Sequence, residues 1–222
     1  MIAYLDNSAT TRTRDEVIGA MELVIRENYY NPSALYHGAV AVEKRVAAYR
    51  AALASRLKAD RVIYTSGGTE ADNLALLGAA KRQRRPGVIL ISAAEHSAVL
   101  KQSEPLTALG YTVRIIPLTA EGIIDINAFA EMLAAEQGPA LQDISLISAI
   151  EVSNETGAIQ PLREMAALRE QLAPGALFHV DGVQGFLRVP VSPLSFGVDM
   201  YSISAHKIHG PKGIGALALS KR

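Results

Sequence analysis

The chain has 222 residues, of which 49% are apolar and 20% charged, and its 22 basic side chains balance its 22 acidic ones. A chain of that length buries a substantial core, and the composition excludes disorder. Zero net charge leaves no field to gather nucleic acid or an anionic membrane, and the lack of cysteine excludes disulfides and thiolate metal sites.

The start, Met1-Ile2-Ala3-Tyr4-Leu5-Asp6, lacks the basic-then-apolar pattern of a secretory leader. No run approaches the ~20 apolar residues of a membrane span, so a cytoplasmic chain is expected. Amphipathic patterns predict helices over Arg14–Glu27 and Ala39–Leu57, with the Asn31-Pro32-Ser33 turn between them. Short apolar, β-branched runs then predict strands at Val62–Thr65, Val88–Ser92, Thr112–Pro117, Ser145–Ile150, Leu177–Asp181, Met200–Ser204 and Ile214–Leu219. Helical patterns fall between them near Glu70–Arg84, Ala98–Leu109, Asn127–Glu136 and Leu162–Leu172. This alternation predicts an α/β fold: a mainly parallel seven-stranded sheet sandwiched by helices. One domain over residues 1–222 is expected, with an N-terminal helical segment over roughly the first 60 residues.

Ligands of an open parallel sheet bind beyond the carboxyl ends of its strands. Polar clusters follow the predicted strands here. Thr65-Ser66-Gly67-Gly68-Thr69-Glu70 offers glycines, a hydroxyl and a helix start, suited either to an anion or to a plain capped turn. It lacks the P-loop and Rossmann glycine spacings. Glu95-His96-Ser97 holds a histidine that can stack on a planar group, shuttle a proton or serve as a structural hydrogen bonder. In Ser153-Asn154-Glu155-Thr156-Gly157, Asn154 can donate to an oxyanion or simply make a turn.

Asp181 ends an apolar strand, where a buried carboxylate needs a cationic or strongly hydrogen-bonding partner, unless it caps a short helix. Gln184, three residues on, shares its face if a helical turn follows. Lys207 follows the Met200–Ser204 run, between Ser204-Ala205-His206 and Ile208-His209-Gly210-Pro211-Lys212-Gly213. A desolvated lysine beside a cation is partly neutral and can attack an aldehyde, and Ser204 and His206 can bind phosphate. Spacing favours Lys207 over Lys212, which sits in a Gly-Pro turn. A lysine and an upstream Asp in these positions are what pyridoxal 5'-phosphate requires: a Schiff-base amine and a pyridinium partner. His206 and His209 have no carboxylate at ligand spacing, so no metal is expected.

The ordered motifs resemble those of the NifS-like cysteine desulfurases of the class V aminotransferase group, pyridoxal-phosphate enzymes of fold type I. The resemblance is carried by Tyr4–Thr11, Asn31-Pro32-Ser33, Thr65–Asn73, Glu95–Leu100, Ser153–Gly157, His179–Gln184 and Ser204–Gly213, nearly the whole chain. It implies that Lys207 carries the cofactor and moves the substrate Cα proton. By the same resemblance Asp181 pairs with the pyridine nitrogen, Gln184 bonds the phenolic oxygen and His96 stacks on the ring. Gly68, Thr69, Ser204 and His206 would hold the phosphate, and Asn154 would sit beside the substrate carboxylate and the phenolic oxygen of the cofactor. L-cysteine or a related amino acid would be the substrate, a sulfur-acceptor protein the partner, iron–sulfur cluster biogenesis the setting and a homodimer the assembly.

Three local departures are Asp72-Asn73, where the family usually has a doubled Asn after Ala or Gly, Gly182, where Ala is usual, and Tyr36, where His is common. A larger one is length, because family members run to roughly twice this size, with a small second domain that carries the nucleophilic cysteine and a substrate-binding arginine. The resemblance therefore implies the large domain alone, without the C-terminal small domain and without desulfurase turnover. A selenocysteine lyase or other class V enzyme, and a non-catalytic remnant that binds cofactor or partners, stand as the alternatives.

Overall fold

Strands such as Val88-Ile89-Leu90-Ile91 expose no polar side chain and must be covered on both faces. The computed structural model describes residues 3–135, 143–190 and 192–221. In chain order these form α1 (Asp15–Glu27), α2 (His37–Leu57), β1 (Arg61–Thr65), α3 (Gly68–Arg82), β2 (Val88–Ser92), α4 (Ser97–Leu100) and α5 (Ser103–Ala108). They continue with β3 (Thr112–Ile116), α6 (Ile126–Ala135), β4 (Ile144–Ile150), α7 (Leu162–Leu172), β5 (Leu177–Asp181), β6 (Met200–Ser204) and β7 (Gly215–Leu219). All seven expected strands join one sheet, in the order β1-β7-β6-β5-β4-β2-β3.

The pairs β3–β2, β2–β4, β4–β5 and β5–β6 are parallel, while β7 runs antiparallel to both β6 and β1. Two reversals cancel, so β1 points the same way as β6. The carboxyl ends of β1, β2, β4, β5 and β6 therefore share one edge of the sheet.

Every residue of β2, β4, β5 and β6 is buried. Side chains alternate between two cores, as the two-residue strand period demands. Leu90, Ile147 and Phe178 pack with Phe129 and Leu133 of α6 and Met165 of α7 on one face. Ile89, Ile91 and Leu146 pack with Ala71, Ala75, Leu76 and Ala79 of α3 on the other. The alanines let α3 lie close over the middle of the sheet. By contrast α1 buries no residue, and Ile18, Met21, Leu23, Val24 and Ile25 are exposed along it. Among the described residues no helix is long and apolar enough to cross a membrane.

Local differences from the sequence reading have clear causes. The helix expected over 98–109 is two helices, α4 and α5, with a break at Lys101–Gln102. Pro105 cannot donate to the Lys101 carbonyl and its ring would clash with it, so it occupies the first turn of a new helix instead. Helix α3 starts at Gly68, earlier than Glu70, which brings Gly68 and Thr69 into its first turn. The expected end of α6 at Glu136 lies outside the described residues.

Glycine at 182 has a packing reason. A Cβ there would lie 2.0 Å from Cζ of Tyr201, whose ring is 1% exposed and whose hydroxyl donates to Glu151. Gly182→Ala should therefore cost about 1–3 kcal/mol through overpacking, read as a lower urea midpoint at constant slope. An unchanged midpoint would mean that Tyr201 moves aside freely.

Candidate active site

Five loops meet at the shared carboxyl edge and enclose a cavity of about 460 Å³. Gly68 and Thr69 come from the first turn of α3, His96 precedes α4, and Asn154 lies in the turn after β4. Asp181 is the last residue of β5, with Gln184 in the turn that follows; Ser204 ends β6, with His206 and Lys207 in the next 3-10 turn. All nine residues expected from the sequence line this one cavity. Lys212 is exposed and borders an adjoining groove with Gly213 instead.

Asp181 and Asp72 set the electrostatics. Asp181 is 2% exposed and accepts a hydrogen bond from Val183 N at 2.9 Å. Burial, reinforced by the charge of Asp72, raises its pKa to about 7. Asp72 is also pushed up to about 7 by burial, against a hydrogen bond from Ser202, and its Oδ1 has no hydrogen-bond partner among the described residues. Behind them runs a buried polar chain. Glu95 Oε1 and Ser148 Oγ are 2.9 Å apart, Ser148 Oγ and His179 Nδ1 are 3.0 Å apart, and His179 Nε2 and Ser202 Oγ are 2.9 Å apart. Burial raises the Glu95 carboxyl well above its ordinary range and lowers His179 to about 4, so the imidazole is neutral near pH 7. The 3.5 Å approach of His179 to Asp72 is therefore not an ion pair.

Lys207 faces these carboxylates. Burial first, and Arg188 second, lower its pKa, while Asp181 and Asp6 oppose them. Its Nζ donates to the Ser8 carbonyl and, at 3.0 Å, to that of Ala9. Burial, then Lys207 and Lys212, lower His206 as well, and its Nδ1 lies 3.1 Å from Thr10 Oγ1. His96 Nδ1 accepts from Ala98 N at 3.1 Å, which orients the ring as the cap of α4.

One end of the cavity is suited to an anion on two observations. Ser204 Oγ is buried with no hydrogen-bond partner among the described residues. It lies beside the start of α3, whose first-turn N–H groups and dipole favour an anion. Gly68 makes this approach feasible, because a Cβ there would lie 2.5 Å from Val183 Cγ2. An unpaired hydroxyl, a helix start, a lysine of lowered pKa and a buried carboxylate fit pyridoxal phosphate in type and placement. No group of three or more His, Asp or Glu side chains stands ready for a metal ion among the described residues.

Spacing alone missed Asp72 and the N-terminal segment. Asp72 was detectable, since Gly68, Ala71, Asp72, Ala75, Leu76 and Ala79 form the buried stripe of α3 and Asp72 is its one carboxylate. Ser8 and Ala9 gave no chemical signal, because they act through backbone carbonyls.

A family model described as aminotransferase class-V matches residues 3–222. Cysteine desulfurase IscS of Dictyoglomus turgidum is 37% identical over 221 residues, covering 98% of this chain and 54% of that protein. NifS of Azotobacter vinelandii is 35% identical, covering 98% and 53%. A solved NifS-like protein superposes with a TM-score of 0.91 at 31% identity, over all of this chain and 60% of the other. A structure described as SspA in complex with cysteine superposes at 0.86 with 30% identity, over 98% and 61%. The chain thus spans about half the length of the curated relatives it matches.

The buried carboxyls fix the sign of the pH dependence. Asp72, Asp181 and Glu151 each titrate near 7 when folded, well above the ordinary carboxylate range. The native state therefore holds their protons where the unfolded chain has lost them, and stability falls as pH rises from about 4 through 7. His179 works oppositely, since its lowered value removes stability as pH falls from about 6.5 through 4, but it is one group against three. The urea midpoint of the ligand-free chain should drop between pH 6 and pH 8, roughly one unit either side of those carboxyls, and Asp72→Asn should flatten that slope. A midpoint that rises over this range would contradict the assignment.

Proposed function

The chain belongs to the class-V aminotransferase family, and we propose that it is the pyridoxal-phosphate-binding large domain of a cysteine desulfurase. Residues 1–222 form that domain in this reading, with an N-terminal helical segment over roughly the first 60 residues, and a small C-terminal domain would account for the additional length of the relatives. The observation that carries the proposal is one cavity holding Lys207, Asp181 and the unpartnered Ser204 hydroxyl together.

The bound cofactor would supply an electron sink for the substrate Cα. Lys207 is the attachment point and the base that moves the Cα proton, and its lowered pKa suits both roles. Asp181 faces the pyridine nitrogen, in a setting where burial makes a cationic partner the means of keeping it ionised. Gln184 donates to the phenolic oxygen and His96 covers the ring. The Gly68 backbone, Thr69, Ser204 and His206 would hold the phosphate, and Asn154 would meet the substrate carboxylate and the phenolic oxygen.

The substrate in this reading is L-cysteine or a related amino acid, supported by the names of the relatives and by the cysteine complex of a similar structure. The sequence has no cysteine, so no persulfide can form on it and sulfur must pass to a thiol elsewhere. A sulfur-acceptor protein, iron–sulfur cluster biogenesis and a cytoplasmic setting belong to the same proposal. So does a homodimer, supported by the unburied apolar residues of α1.

Purified chain incubated with pyridoxal phosphate should gain a visible absorbance band that Lys207→Ala abolishes. Asp181→Ala should weaken cofactor binding roughly tenfold or more, the value of a hydrogen bond to a charged group. Absence of the band overturns the proposal. L-cysteine should release no sulfide from this chain without an added thiol, and sulfide release at sustained rates would overturn that part.

A further inference from the structure

One guanidinium just outside the cavity holds three parts of its wall. Arg188 Nη1 donates to Gln184 Oε1, and Nη2 donates to the Lys207 carbonyl at 2.6 Å and the Asn7 carbonyl at 3.3 Å. From the other end of the same amide, Gln184 Nε2 donates to the Ser8 carbonyl at 2.7 Å. That carbonyl also receives Lys207 Nζ. Gln184 and Ser8 line the cavity, whereas Arg188 does not.

A primary amide has an acceptor end and a donor end of equal size, so only its partners decide which way it points. Arg188 can donate but never accept. A flipped Gln184 would set its N–H groups against the guanidinium and its oxygen against the Ser8 carbonyl. The observed orientation keeps the nitrogen on the cavity side, with one N–H on Ser8 and a second still to give. No other described side chain bonds the Gln184 oxygen.

We propose that Arg188 is a positioning residue that locks the Gln184 amide with its donor end toward the cavity and ties Lys207 and the N-terminal segment into the same frame; this rests on the cofactor reading above. The second N–H of Gln184 is then preset for the phenolic oxygen of the cofactor. A lysine cannot replace the fork, because one ammonium does not reach three separated acceptors in a plane.

The test is the pH titration of the Lys207-dependent absorbance band in the cofactor-loaded chain. The charged groups around Lys207 are Asp181 at the end of β5, Asp6 in the N-terminal segment, Arg188 itself and the neighbouring His206, with Lys212 beyond it. Arg188→Gln should raise the band's pH midpoint by about half a unit or more, since the phenolic oxygen loses its oriented donor and Lys207 loses a cation. Arg188→Lys should also shift upward, and in a Gln184→Leu background the Arg188→Gln shift should fall to less than half. An unshifted Arg188→Gln overturns the inference and leaves the cofactor reading intact. Full rescue by lysine reduces Arg188 to a charge, and a full shift retained in Gln184→Leu removes Gln184 as its target; either overturns the inference. No Lys207-dependent band in the wild type overturns both readings. Should Arg188→Gln fail to fold, the lysine variant with and without Gln184→Leu decides the matter.

Discussion

A carboxylate moved from water into a protein interior costs several kcal/mol unless it is paired, hydrogen-bonded or protonated. Asp181 sits at the end of a strand that is buried on both faces, with a second carboxylate, Asp72, close enough to raise it further. Without a cation above them the two hold protons near neutrality. With one, the site can keep a fixed negative charge aimed at a ring nitrogen. The polar chain from Glu95 to Ser202 behind them gives this charge a scaffold of hydrogen bonds rather than of apolar side chains. Such a network is stiff only when every member has its partner.

The opposite wall is held differently. Main-chain groups and threonine hydroxyls of the N-terminal segment grip the loop that carries Lys207. Thr11 N and Oγ1 each donate to the His206 carbonyl at 2.8 Å, and His209 N donates to Thr11 Oγ1 at 2.7 Å. Thr13 Oγ1 reaches the Gly210 carbonyl at 3.1 Å. The lysine loop is thus stitched along its length to residues far away in sequence, and its amine is held by two carbonyls of that same segment. A reactive amine placed this way is positioned by main chain, which few substitutions can disturb.

Much of this was legible in the sequence, for reasons that differ by element. Mainly apolar, β-branched runs marked the seven strands, because β2, β4, β5 and β6 are buried on both faces and most of their side chains are apolar, with Ser148, His179 and Ser202 bonded to one another. The nine expected cavity residues could be found because a parallel sheet sends its carboxyl ends to one edge, so proximity in space follows from position relative to strands. Asp72 stood out only as a departure from the family pattern, and that it faces inward can be read only from the helical period of α3. The break before α5 was written in Pro105 and was overlooked in favour of the longer period. The roles of Ser8 and Ala9 could not be read, since a backbone carbonyl has no sequence signature. Nor could the reason for Gly182, which depends on Tyr201 of a neighbouring strand.

The antiparallel insertion of β7 has a consequence for how the chain acquires its shape. Among the described residues strand β1 pairs with β7 alone, Thr65 opposite Gly215, so the turn carrying Gly68 and Thr69 is tied to the sheet through its most C-terminal strand as well as through α3. During synthesis the parallel strands β2 to β6 can assemble while β1 waits as an open edge, the kind of long-range closure that slows folding. The anion-binding end of the cavity thus rests on the pairing in the sheet most distant along the chain, residues 61–65 with 215–219. A ligand that bridges Lys207 and the first turn of α3 would clasp the two ends of the chain together, and so brace the fold as well as serve the chemistry.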